Sequence, residues 1–230
     1  VDGLYGILAL SSGNRSSPLA GKFTSTNNVT TTTTSAKDGV FVIFDHDIAR
    51  VDLYSIKDTS LRTQEITNLP VLDLKVGVAD ATVNGTTTTY NGGWVYYYPT
   101  SSYGDGHIKG MNELYALDSM LYVNAYDKDG VGITGACGSG VIGDSYLYQF
   151  CLPSGKCKFY TSSTTEPNRV KLGGGILGTG LGQAYSGGGM GLIVKREGGK
   201  DCSKLENKNL PECQLFDAKS KLQHLRWYES

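Results

Sequence analysis

Short apolar or alternating runs, each bounded by Gly, Asn, Asp or Ser, recur along the chain. In a strand successive side chains point to opposite faces, so such runs are read as strands and their polar borders as turns. Strands are predicted at Leu4 to Leu10, Val40 to Phe44 after the Asp38-Gly39 turn, Val71 to Val78, and Trp94 to Tyr98 after Gly92-Gly93. Further strands are predicted at Glu113 to Leu117, Met120 to Tyr126, Tyr146 to Cys151, Lys156 to Tyr160, Leu192 to Lys195 and Leu222 to Tyr228. No span has a convincing helical period; Asp217 to Leu225 has at best a weak one. Thr24 to Ala36, with five consecutive threonines, and Asn84 to Asn91, with four, read as exposed irregular loops. The expectation is an all-β chain of about ten to twelve short strands joined by tight turns and a few long loops.

Composition agrees with that pattern. The 230 residues suit one large all-β domain, taken as 1–230, and include 31 glycines, with Thr, Ser and Tyr also abundant. Charged residues make up 19% and the formal net charge is −1 with no basic block, which argues against a nucleic-acid partner. No apolar stretch is long enough to span a bilayer as a helix. The start, Val1-Asp2-Gly3-Leu4, carries no signal-peptide pattern, which leaves a removed signal or a chain cut from something longer; because it runs straight into a strand, the second reading is favoured. Asn14, Asn28 and Asn84 stand in glycosylation sequons that matter only in a glycosylating host.

Five cysteines bear on the compartment. Cys151 and Cys157 flank a Pro-Ser-Gly turn, and a hairpin closed there brings their Cα atoms to the roughly 5.5 Å that a disulfide needs. Cys202 and Cys213 bracket a polar segment and form a second candidate pair. Neither spacing suits a four-thiolate zinc site; reduced buried thiols are the remaining alternative. Two local disulfides imply an oxidising compartment. Cys137 is left over, either as a buried thiol or as partner to a segment not present.

The spacing also has a rhythm. Gly143-Asp144, an apolar strand to Cys151, and then Pro153-Ser154-Gly155-Lys156 have the form of a propeller blade's closing hairpin. Lys37 to Asp45 is similar to its first half. At about 40–50 residues per blade the chain would supply about five, so it is expected to be the end of a larger propeller.

Five ordered stretches resemble a known family. Tyr5 to Leu19, with Gly13-Asn14-Arg15 and Pro18-Leu19, resembles a Gly-Thr-Gly-Asp-Arg-Glu-x-Pro-Leu segment, and Val40 to Asp45 resembles the strand after it. Gly93 to Tyr98 followed by Gly104-Asp105-Gly106-His107-Ile108 is similar to Gly-Trp-Tyr and Gly-Glu-x-Val elements. Met120 to Tyr126, Cys137-Gly138 and Tyr146-Leu147-Tyr148 are similar to a strand, a Cys-Gly loop and a Leu-Tyr strand. Lys171 to Ile176 and Leu225 to Glu229 look like closing strands. The family is the C-terminal β-propeller region of type IV pilus tip adhesins, the PilY/PilC group. The resemblance implies a non-enzymatic protein of the pilus tip or outer membrane that promotes pilus assembly, opposes retraction and, in some members, adheres to surfaces or acts in twitching. It also implies partners among minor pilins or other tip proteins, and a missing N-terminal part of the same precursor.

Candidate chemistry is sparse. Asp127-Lys128-Asp129-Gly130 is how a calcium loop starts, which makes Asp127 and Asp129 candidate calcium ligands, an ion this family's propeller can hold. With Gly130 at the sixth position of such a loop, its first and twelfth positions fall on Ala125 and Ala136, so the full loop is absent and a solvated turn competes. Asp45-His46-Asp47 is a second acidic group with the same competing reading. The histidines are His46, His107 and His224, and no Gly-x-Ser-x-Gly elbow accompanies them. Gly173, Gly175 and Gly178 make a Gly-x-Gly-x-x-Gly form, but more glycine follows instead of a helix, and the segment reads as a close-packed turn. Trp94 with Tyr96, Tyr97 and Tyr98 is the candidate partner-binding group, against packing between blades. The alternative function is a secreted propeller enzyme of quinoprotein type or a glycan-binding lectin, which should gather polar residues at the axis.

Overall fold

In the computed structural model the described residues are 5–13, 15–16, 18–19, 23–27, 30–34, 37–48, 51–52, 55, 69–74, 77, 92–99, 107–133, 141–157, 166–183 and 190–194. The chain is all-β: among these residues every regular element of any length is a strand and every strand pair is antiparallel. The strands are β1 (Gly6–Ser11), β2 (Phe23–Asn27), β3 (Thr30–Thr34), β4 (Gly39–Asp45), β5 (Gly93–Tyr97) and β6 (Ile108–Gly110). They continue with β7 (Tyr115–Leu117), β8 (Met120–Asp127), β9 (Asp144–Cys151), β10 (Asn168–Gly174), β11 (Thr179–Gln183) and β12 (Met190–Val194).

Two sheets make the body of the molecule. The first has the order β1-β4-β5, and the second β10-β9-β8-β6, with β7 also paired to β8. β6 and β7 lie along the same strand, since Ile108 faces Asp127 while Leu117 faces Met120 at the other end of β8. The second sheet is therefore a four-stranded antiparallel meander. Its first hairpin turns at Asp118-Ser119, both with positive φ (49° and 62°), the twist that a two-residue loop between antiparallel strands requires.

The central strands explain their own sequences. β4 and β8 have neighbours on both sides and apolar cover on both faces, so Val40-Phe41-Val42-Ile43-Phe44 and Met120 to Tyr126 are nearly continuous apolar runs. The inner layer joins the two sheets face to face. Val40, Val42, Phe44, Trp94 and Tyr98 of the first meet Ile108, Leu121, Val123, Ala125, Tyr148 and Phe150 of the second. Trp94 is fully buried, 5.5 Å from the Phe150 ring. The outer faces carry smaller apolar clusters: Ile43, Leu69 and Val95 with Leu10 and Phe41 on one side, and Tyr122, Leu147 and Leu172 with Leu177 on the other. Gly93 (φ 119°) enters β5 where any Cβ would collide with the Val42 carbonyl.

Several expectations need correction. Thr24 to Ala36 is not an irregular loop throughout, because β2 and β3 pair as a hairpin with Phe23 opposite Thr34. The β-branched threonines favour the extended chain whatever their polarity. Val71 to Val78 is not a strand in its described part; Val71 makes an isolated parallel bridge to Val95. Pro70 has no N–H to give a ladder, and its carbonyl accepts the Val95 amide at 2.9 Å. The expected strand from Lys156 is reduced to a bridge between Cys151 and Gly155, while 158–160 lie outside the described residues. Gly173 to Gly182 is more than a turn, since it holds the end of β10 and most of β11. Leu222 to Tyr228, Asn84 to Asn91, Cys137 and the Cys202–Cys213 pair lie outside the described residues.

Candidate functional site

The aromatic segment of β5 divides by strand alternation. Trp94, Tyr96 and Tyr98 point to the inner layer, and Tyr97 to the outer face. The Trp94 indole Nε1 donates to the Pro153 carbonyl at 2.7 Å, so its polar edge is satisfied inside the fold. Tyr96 packs 5.2 Å from Phe150 and 6.3 Å from Tyr98. The Tyr98 hydroxyl and Ser11 Oγ share a hydrogen bond of 2.7 Å. Burial pushes the Tyr98 phenol far above its ordinary range, with the Ser11 hydrogen bond pulling the other way. Of the four aromatics only Tyr97 is exposed, at 37%.

Tyr97 is part of a surface made by all three strands of its sheet. Phe41 lies edge-on to it at 6.3 Å, and Lys37 Nζ stands 5.9 Å above its ring. Cross-strand register sets Leu10 beside Phe41 and Leu8 beside Ile43, and Leu8 is 57% exposed. Tyr97 with Lys37 is exposed at one end of this face and Leu8 at the other, while Ile43 and Val95 between them are buried in a cluster with Leu69. An aromatic ring beside a cation is the kind of group that protein-binding surfaces use. The sequence pattern singled out Tyr97 but not Leu8 or Phe41; Phe41 alternates with buried Val40 and Val42, whereas Leu8 stands next to Ile7, which is exposed as well.

The acidic turn after β8 is built on backbone amides. Asp127 Oδ1 accepts the Asp129 amide at 3.0 Å, the Asp127 carbonyl accepts Gly130 N–H, and Lys128 Nζ lies 2.7 Å from Asp129 Oδ1. Asp144, the cross-strand partner of Asp127, was named in the sequence only as part of a hairpin motif, and it holds this loop. It is buried, accepts the amides of Val131 and Gly132 at 3.1 and 3.2 Å, and pairs with Lys171 Nζ at 2.8 Å. Its signal was the Gly143-Asp144 pair, read as the opening of a blade's closing hairpin and not as a ligand of the neighbouring loop. Among the described residues no three His, Cys, Asp or Glu side chains are gathered as a metal site, so no step is assigned to calcium at Asp127 and Asp129. Asp45-His46-Asp47 closes in the same way, with the Asp47 amide donating to Asp45 Oδ1 at 3.0 Å.

The remaining candidates are dispersed. His46 rests 5.2 Å from the Tyr5 ring, His107 is buried at the start of β6, and His224 lies outside the described residues. After Gly173 and Gly175 the chain turns through Gly178 into a strand, so no helix N-terminus is available for a phosphate. Arg169 on β10 donates to the Tyr148 hydroxyl at 3.1 Å and lies over the Tyr146 ring at 5.0 Å. Burial raises both tyrosines above the ordinary phenol value.

The Cys151–Cys157 disulfide is present, with its Cα atoms 5.2 Å apart. It closes the loop that supplies Pro153 to Trp94 and packs Gly155 on Leu72, tying the end of β9 to the first sheet. Cys157 is buried. No described helix is long and apolar enough to cross a membrane. The chain matches no family model, no curated protein and no solved structure.

Proposed function

We propose that this chain is a non-enzymatic module of a type IV pilus tip protein, formed from propeller blades and acting through its surface in pilus biogenesis and adhesion. One observation carries the blade reading: a four-stranded antiparallel meander stacked face to face on a second antiparallel sheet, with apolar clusters on the outer faces of both. A two-layer sandwich turns polar outer faces to water, whereas sheets stacked radially need apolar cover on both sides. The five ordered stretches of resemblance support the pilus reading, and the Cys151–Cys157 bond supports export through an oxidising compartment to the cell surface. The surface around Tyr97 is the part that meets the partner, a minor pilin or another tip protein.

The test is to shear surface filaments from cells producing the parent protein and identify what is retained with this chain. Co-purification with minor pilins, lost with Tyr97→Ala and Phe41→Ser together, is the expected result. A chain absent from the filament fraction, or bound to a redox cofactor or to glycans, would sink this reading and favour the enzyme or lectin.

A further inference from the structure

Among the described residues β1 is paired on one side only, with β4. Register and the Ser12 amide, which donates to the Gly39 carbonyl at 2.9 Å, show that the even-numbered residues of β1 bond to β4. Ile7 and Ala9 therefore turn their N–H and C=O groups away from β4, and among the described residues no strand pairs with β1 on that side. Ile7 and Leu8 point to opposite faces, yet both are exposed, at 41% and 57%. One missing neighbour strand accounts for both exposures at once, whereas a helix or a flat surface would cover only one face. Gly6-Ile7-Leu8-Ala9-Leu10-Ser11 carries no charge and no proline, the devices by which free edges are ordinarily blunted.

We propose that the β1 edge is a strand-acceptor site for an extended, uncharged, apolar segment of another polypeptide. The segment hydrogen-bonds to Ile7 and Ala9 and lays its own side chains beside Ile7 on one face and Leu8 on the other. The site is short, because β6 closes its far end: the Gly110 amide donates to the Ser12 carbonyl at 2.9 Å, and Ser11 fills the place a Cβ on Gly110 would need. That closure argues against a second copy as occupant. Two-fold pairing centred on Leu8 would set Tyr5 of one copy against Ser11 of the other, where β6 already lies. The proposal is independent of the pilus reading, since it rests on the edge alone.

The test is residue-resolved amide hydrogen exchange on the full chain, with a capped Thr-Val-Ile-Val-Thr peptide as probe. In the chain alone, Leu8 and Leu10 are protected by β4, and Ile7 and Ala9 exchange fast. The peptide is expected to slow Ile7 and Ala9 by roughly tenfold or more. The same peptide N-methylated on alternate amides has no effect. Ile7→Lys abolishes the slowing and leaves Leu8 and Leu10 protected, which shows that the fold survives. No slowing at millimolar peptide overturns the proposal. Protection of Ile7 and Ala9 without peptide also overturns it: if it rises with chain concentration the occupant is a second copy, and if it does not the chain covers its own edge.

Discussion

Asp144 shows how one side chain can hold a whole loop. Its two oxygens take the Val131 and Gly132 amides, and its charge is met by Lys171. Asp144→Ala would leave the Val131 and Gly132 amides without this acceptor and remove the ion pair with Lys171. A loss of about 2–4 kcal/mol is expected in urea unfolding, with Asp144→Asn intermediate because it keeps an acceptor but not the charge. Ser119 makes the opposite case. Its φ of 62° is uphill for any residue with a Cβ, so Ser119→Gly should stabilise by about 1 kcal/mol, read as a raised Tm. Neither residue could be weighted from its neighbours in the chain. An Asp after Gly, or an Asp-Ser pair between two apolar runs, is consistent with an ordinary exposed turn.

Among the elements, the loop between Cys151 and Cys157 couples the two sheets. Closing seven residues stabilises by about 2 kcal/mol if its effect is mainly on the unfolded chain. Replacing both cysteines by serine should lower stability by that amount. It should also shift Trp94 emission to the red, because the Pro153 carbonyl that accepts its indole N–H is carried on this loop. Unchanged emission with lowered stability would show that the loop keeps its place without the bond. The central strands were legible in advance because a strand covered on both faces must be apolar throughout. β6 and β10 were not: Ile108-Lys109-Gly110 is too short, and Asn168-Arg169-Val170-Lys171 too polar, to register as an apolar run. β10 is an edge strand, and its long cations reach back over Tyr146 and Asp144.

For the molecule as a whole, buried tyrosines on both faces of the sheets set the pH response. Burial raises the phenols of Tyr98, Tyr122, Tyr126, Tyr146 and Tyr148 above 10.0. The folded state then keeps protons that the unfolded state releases, so this contribution is complete below pH 10.0 and is lost as pH rises beyond it. Lys109, lowered from 10.5 by burial, has the opposite sign and gains as pH rises, but it is one group against five. Tyrosinate absorbance and far-UV circular dichroism followed together should show ionisation and unfolding in one step above pH 10.0. Phenols that all ionise before the fold is lost would refute this account of the core.

The order of apolar and polar positions by itself determined that the chain is all-β, where its central strands run, and that Cys151 and Cys157 could meet across a tight turn. These are local properties: a two-residue period, turn residues at fixed offsets, and a six-residue separation between thiols. Tertiary structure alone decided which aromatic faces out, because Trp94, Tyr96, Tyr97 and Tyr98 differ only in the side of β5 they occupy and in what lies against that side. It alone decided that Asp144 rather than Asp129 is the buried carboxylate, since that depends on loop amides and on a lysine of the neighbouring strand β10. The one-sided pairing of β1 belongs to the same class. A run of six uncharged residues reads identically whether one neighbour or two lie beside it, and only the sheet order shows that among the described residues one strand alone pairs with it.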